Sequence, residues 1–176
     1  MIRIEPLRTE HAPATRAFLE RIPLEDRSFF KEDVSRADTV DRWLAEEAGH
    51  RAVARDGDDC VRGYYALVPG AGLSSHVAEL RLVTDPERRR RGYGRLLARA
   101  ALIDALESGF EKIVVEVAAD EQPAIALFRR LGFEGEALLR NHIRDRQGRR
   151  RDILILAHLV DDTWSTMATL GIDEAL

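Results

Sequence analysis

The chain has 176 residues, 45% of them hydrophobic, and sets 27 Lys+Arg against 31 Asp+Glu for a net charge of −4. That length suits one domain with a substantial core, and no apolar run approaches membrane-spanning length. The slight acidic excess argues against a nucleic-acid binder, and the single cysteine, Cys60, excludes an internal disulfide framework. No histidines or cysteines stand at metal-ligand spacing, so no metal is expected. No charged-then-apolar leader opens the sequence, so a cytoplasmic protein with no membrane partner is the expectation.

In chain order, Ile2–Leu7 reads as a strand and Glu10–Arg21 as a helix, with Ala14, Ala17, Phe18 and Arg21 along one side. A charged connector, Ile22 to Asp38, leads to a short helix around Thr39–Ala48. Two strands follow near Arg51–Arg55 and Val61–Val68, the second closed by Pro69-Gly70. Val77–Thr84 is the next strand, and Asp85-Pro86 signals a turn. Beyond it lies Arg89-Arg90-Arg91-Gly92-Tyr93-Gly94, then a helix with apolar residues at Leu96, Leu97, Ala100, Ile103 and Leu106. Ile113–Ala118 reads as a buried strand, and Asp120-Glu121-Gln122-Pro123 opens a helix with Pro123 in its first turn. Ala124, Ile125, Leu127, Phe128 and Leu131 supply the apolar face of that helix, and Gly132 ends it as a C-cap residue. Phe133–Arg140 and Asp152–Leu159 form a closing antiparallel pair across Asp145–Gly148. Strands interleaved with helices, with hairpins at both ends, imply an α/β layered domain over residues 1–160 built on a mixed sheet. The tail, 161–176, reads as a short helix of unassigned role.

A strand, a glycine-containing basic loop and a helix make an anion-binding geometry. Loop and first-turn N–H groups point outward, the helix dipole favours negative charge, and glycine lets the backbone approach a phosphate. The spacing is neither GxGxxG nor GxxxxGK[ST] but R-x-x-G-x-G. Val83 to Gly94 resembles the acyl-CoA pyrophosphate loop of the GNAT superfamily of N-acetyltransferases, departing at Arg90, where glycine is frequent. A second stretch, Ala124 to Phe133, resembles the family motif N-x-x-A-x-x-L-Y-x-x-x-G-F. Two motifs in the family's order are far more specific than either alone. The resemblance implies a GNAT-like, mostly antiparallel central sheet flanked by helices, acetyl-CoA as cosubstrate, and an amine acceptor, either a small molecule or a protein.

On that resemblance, Arg89, Arg90, Arg91, Gly92, Tyr93 and Gly94 hold the pyrophosphate. The strand end Leu82-Val83-Thr84 pairs with the pantetheine arm and donates to the thioester oxygen, and Glu121 and Phe128 mark further donor contacts. Two carboxylates are candidate general bases. Glu116 stands where the ribosomal-protein N-terminal acetyltransferase branch places its base, and Glu79 lies on the strand before the loop. The plain alternative for both is a strand carboxylate salt-bridged to Lys112 or Arg81. Phe128 stands where many members carry a tyrosine that protonates the departing thiolate, so a water, Tyr64 or Tyr65 would take that role. Glu25–Asp33, with its Phe29-Phe30 pair, and Asn141-His142 are candidates for the acceptor side. A non-catalytic acyl-CoA-binding or sensing module is the competing class. An exposed sheet edge leaves room for a homodimer.

Overall fold

The computed structural model describes residues 2–24, 26–46, 50–89, 91–145 and 147–160. The tail at 161–176 and Arg90 therefore lie outside the described residues. The strands are β1 (Arg3–Pro6), β2 (His50–Arg55), β3 (Val61–Pro69), β4 (Val77–Thr84), β5 (Lys112–Ala118), β6 (Glu134–Arg144) and β7 (Arg150–Leu159). The helices are α1 (Ala12–Arg21), α2 (Thr39–Ala45), α3 (Tyr93–Glu107) and α4 (Gln122–Arg130). The strands form a seven-stranded sheet in the order β1-β2-β3-β4-β5-β7-β6. β4 and β5 run parallel, whereas β1–β2, β2–β3, β5–β7 and β6–β7 are antiparallel. The mixed, mostly antiparallel sheet with four helices is the architecture expected from the sequence.

The chain divides into two compact units, residues 1–68 with 81–100 and residues 69–80 with 101–176. The first is built on Phe18, Leu19, Ile22, Phe30, Val34, Val40, Trp43, Val53, Val61 and Tyr64, all buried together. Each of the larger side chains contributes about 1.5–3 kcal/mol by leaving water. An aromatic group stands within that core: Tyr64 and Trp43 stack at 4.7 Å, and Phe30 lies 5.8 Å from Tyr64 and 6.1 Å from Trp43. The second unit buries Ile113, Val115 and Val117 from β5 with Phe128, Leu131, Phe133, Ile153 and Leu156. Phe128 meets Phe133 edge-to-face at 5.2 Å, a favoured aromatic geometry.

Three expectations need correction. The first helix begins at Ala12, after a 3₁₀ turn at Thr9–His11, and buries Ala12, Thr15, Phe18 and Leu19 while Ala17 is exposed. Thr15 is tolerated there because its hydroxyl donates to the His11 carbonyl at 2.8 Å. In α3 the inward stripe is Tyr93, Leu97, Ala98, Ala101, Leu102 and Ala105, whereas Leu96, Ile103 and Leu106 are exposed. Half of that stripe is alanine, whose small side chain allows close packing but adds little to an apolar period. The third concerns the aromatic pair of the connector: Phe30 is buried in the core of the first unit.

Candidate active site

The glycine-bearing loop after β4 is set by local chemistry at the strand's end. Asp85 follows Thr84 with its side chain fully buried, and its Oδ1 accepts from the Glu87 N–H at 3.1 Å. The Arg88 N–H donates to the Asp85 carbonyl at 2.9 Å, closing a 3₁₀ turn over Pro86–Arg88. Gly92 then adopts φ +83°, while a Cβ placed there would meet nothing within 4 Å. Conformation, not space, is therefore the reason for glycine at position 92. Gly94 differs, lying within the first turn of α3. The Leu96 N–H is satisfied by the Gly92 carbonyl at 3.0 Å. Helix geometry leaves the first-turn amides before it without intrahelical acceptors, a ready-made site for an anion.

The side chains of the loop divide by burial. Tyr93 turns inward and is buried, so its backbone is the part available to a ligand. Arg89 is exposed and forms an ion pair with Asp26 of the connector, a partner invisible in the sequence because 63 residues separate them. Arg91 and Gly92 are exposed, and Val83 is buried between half-buried Leu82 and Thr84.

The candidate bases lie in the second unit. On β5, Ile113, Val115 and Val117 are buried, and Lys112, Val114 and Glu116 alternate onto the other, half-buried face. Glu79 of β4 pairs with Val114, and Glu116 pairs with Ile155 of β7. Side-by-side strand partners project to the same side, so Glu79, Val114 and Glu116 share one face. The structure thus brings the two carboxylates onto a common surface, two residues apart in register. Lys112 Nζ donates to Glu136, and Arg81 Nη1 donates to the Phe30 carbonyl at 3.2 Å.

Other candidates resolve differently. Phe128, expected both on the apolar face of α4 and as a donor contact, is buried against Phe133. Glu121 precedes α4 and its side chain makes no capping hydrogen bond, standing 3.7 Å from Arg151. Tyr64 is poorly suited to protonate a leaving thiolate. It is fully buried, its hydroxyl is bonded to Arg51, and burial pushes the phenol above the ordinary tyrosine range. Asn141 sits at φ +52° in a bulge of β6, its N–H held by Asp152 Oδ1 at 2.7 Å, and His142 is exposed beside it. Such bulges redirect side chains. Among the described residues, no group of three or more His, Cys, Asp or Glu is placed to hold a metal ion. No described helix is long and apolar enough to cross a membrane.

The sequence profile of the Acetyltransferase (GNAT) family matches residues 16–133. The chain belongs to that family. The match contains both sequence motifs and both candidate carboxylates. Among curated relatives, a mycothiol acetyltransferase of Clavibacter sepedonicus is 37% identical over 87 residues, 49% of this chain and 27% of the relative. A [ribosomal protein bS18]-alanine N-acetyltransferase of Salmonella typhimurium is 40% identical over 77 residues, 43% of this chain and 51% of the relative. The chain thus spans between about a quarter and about half of the length of these GNAT relatives. In three dimensions an N-acetyltransferase from Staphylococcus aureus Mu50 superposes with TM-score 0.81 at 14% identity, over 92% of this chain and 99% of that one. At that identity the likeness establishes the fold.

Proposed function

We propose that this GNAT protein transfers an acetyl group from acetyl-CoA directly to a primary amine, with Glu116 or Glu79 as general base. The observation that carries the reading is the strand–turn–helix at Thr84–Leu96, where a left-handed Gly92 delivers the first-turn amides of α3. Acetyl-CoA supplies the acyl group; the chain's part is to hold it, stabilise charge and move one proton. In this reading the amides of Arg91 to Gly94 bind the diphosphate, with Arg89 and Arg90 adding charge. Leu82–Thr84 receives the pantetheine arm. A backbone donor at that strand end stabilises the developing oxyanion, typically the largest electrostatic contribution to acyl transfer.

Proton removal then decides the carboxylate's role. A lysine-like amine of pKa about 10.4 costs about 4–5 kcal/mol to deprotonate at neutral pH, and an α-amine near 8 only about 1–1.5. Half-buried Glu116 is favoured as the group that takes the proton, directly or through water, because its face remains within reach of solvent. The leaving group is less demanding. A thiol pKa near 8.5 makes expulsion of free thiolate cost about 2 kcal/mol, so the absence of a hydroxyl at Phe128 is tolerable. Similarity to an alanine N-acetyltransferase supports an α-amine acceptor, with Asn141-His142 on its side of the site. Glu121 is assigned to the donor side. The working unit is taken as a single domain over 1–160, acting in the cytoplasm without metal, and homodimerising through a sheet edge.

The test follows thiol release from acetyl-CoA in the presence of primary amines, α-amino peptides included, for wild type and Glu116→Gln. Amine-dependent turnover lost in the variant, with acetyl-CoA affinity retained, is the expected result. Tight binding without turnover on any amine, in either protein, would favour a sensing module.

A further inference from the structure

A fully buried carboxylate next to the donor loop is the feature least explained by folding alone. Asp85 Oδ2 accepts from Arg62 Nη1 at 3.1 Å and from Arg21 Nη2 at 3.3 Å, while its Oδ1 receives the Glu87 N–H. Arg62 is itself held by Asp56 through Nε–Oδ2 at 2.6 Å, and Arg21 is anchored to the Val61 carbonyl at 2.8 Å. The Asp85 N–H donates to the Arg62 carbonyl at 2.9 Å. Asp56, Arg62, Asp85 and Arg21 thus alternate in sign along a chain joining β3 and α1 to the first residue of the loop. All four belong to the first unit.

Burying a carboxylate is costly even when paired, and apolar packing of equal volume is often no less stable. What the arrangement does secure is position. Three donors from three segments fix both oxygens, and the carboxylate fixes the turn that begins the loop. Amides bind a diphosphate well only when their directions are set beforehand, since ordering them at the moment of binding subtracts from affinity.

We propose that Asp85, held by Arg21 and Arg62, is a positioning residue for the diphosphate site: it orients the turn at Pro86–Arg88 that leads to the site, without touching the ligand. This rests on the donor-site reading above. It predicts a defect confined to ligands that carry the diphosphate.

The experiment titrates acetyl-CoA by calorimetry, and S-acetylpantetheine by amide NMR shifts, into wild type, Asp85→Asn, Asp85→Ala and Arg21→Gln. Asp85→Asn keeps an oxygen for the Glu87 N–H and loses the charge. Arg21→Gln perturbs the network from α1, away from the loop, and guards against misfolding of the Asp85 variants. The expected result is an acetyl-CoA Kd raised about tenfold in Asp85→Ala and less in the other two, with S-acetylpantetheine binding unchanged. An unchanged acetyl-CoA Kd in all three variants, or equal loss of both ligands, overturns the positioning role while leaving the donor site standing. Failure of wild type to bind acetyl-CoA overturns the donor-site reading itself, and this inference with it.

Discussion

The carboxylate of Asp85 and the two carboxylates of the β4–β5 face differ in their exposure to water. Asp85 is fully buried among half-buried partners, Arg21, Arg62 and Asp56, that alternate in sign along a chain of close contacts. On the other face, Glu79 and Glu116 are half-buried on strand positions that alternate with core residues. A charge whose task is to hold a backbone in place gains from burial and matched partners. A carboxylate that must gain and lose a proton needs access to water or substrate. On the proposed function, that difference matches a positioning task for Asp85 and a proton-transfer task for Glu116 or Glu79.

The largest effect is expected at Glu116. Glu116→Gln is expected to lower amine-dependent turnover by about a hundredfold or more, the usual scale of a lost general base, with acetyl-CoA affinity unchanged. Glu79→Gln is expected to cost about tenfold or less; if it is the more damaging change, the roles of the two carboxylates are exchanged. Steady-state kinetics with calorimetry reads both. Next in size is the core beneath α4. Phe128→Ala removes a buried ring packed on Phe133 and is expected to cost about 3–5 kcal/mol by chemical denaturation. A loss under about 1 kcal/mol would mean the ring faces a site and not the core.

Gly92→Val is smaller in stability and sharper in function. A β-branched residue at φ +83° is strained whatever the space, by about 1–3 kcal/mol, and the loop can relieve that strain by changing its path. The expected signature is a rise of about tenfold or more in the acetyl-CoA Kd with little change in Tm.

The smallest effect concerns pH. The Arg62 guanidinium beside Asp56 holds that carboxyl below the usual carboxylate range. A depressed folded-state pKa gives stability that is present above the unfolded value of about 3.9 and is lost as pH falls through the folded one. Wild type should therefore lose more stability than Asp56→Asn on acidification below about pH 4, measured by denaturation across that range. Parallel curves would mean the Asp56–Arg62 contact is too well solvated to matter.

Much of the fold was legible because strand alternation and the Pro123 and Gly132 signals are local. Gly132 has φ +82° at the end of α4, as its C-cap position requires. The strand–turn–helix at Thr84–Leu96 was legible because its glycine spacing and the strand and helix around it are contiguous in sequence. Three things were not. Half of the buried face of α3 is alanine, so the larger exposed Leu96, Ile103 and Leu106 gave the stronger periodic signal. Tyr64 looked available as an acid because nothing local records that it is bonded to Arg51 and stacked on Trp43. Asp85 read only as a turn residue, since its partners Arg21 and Arg62 lie 64 and 23 positions away. Long-range pairing of charges has no sequence signature in a single chain, and the surroundings of Asp85 consist of little else.

The most direct test of the central claim is calorimetric titration of acetyl-CoA into wild type and Gly92→Val. Saturable binding to wild type, weakened about tenfold or more in a variant of unchanged Tm, is the predicted result. Absence of binding to wild type, or equal affinity in the two proteins, would contradict the assignment of this loop as the donor site.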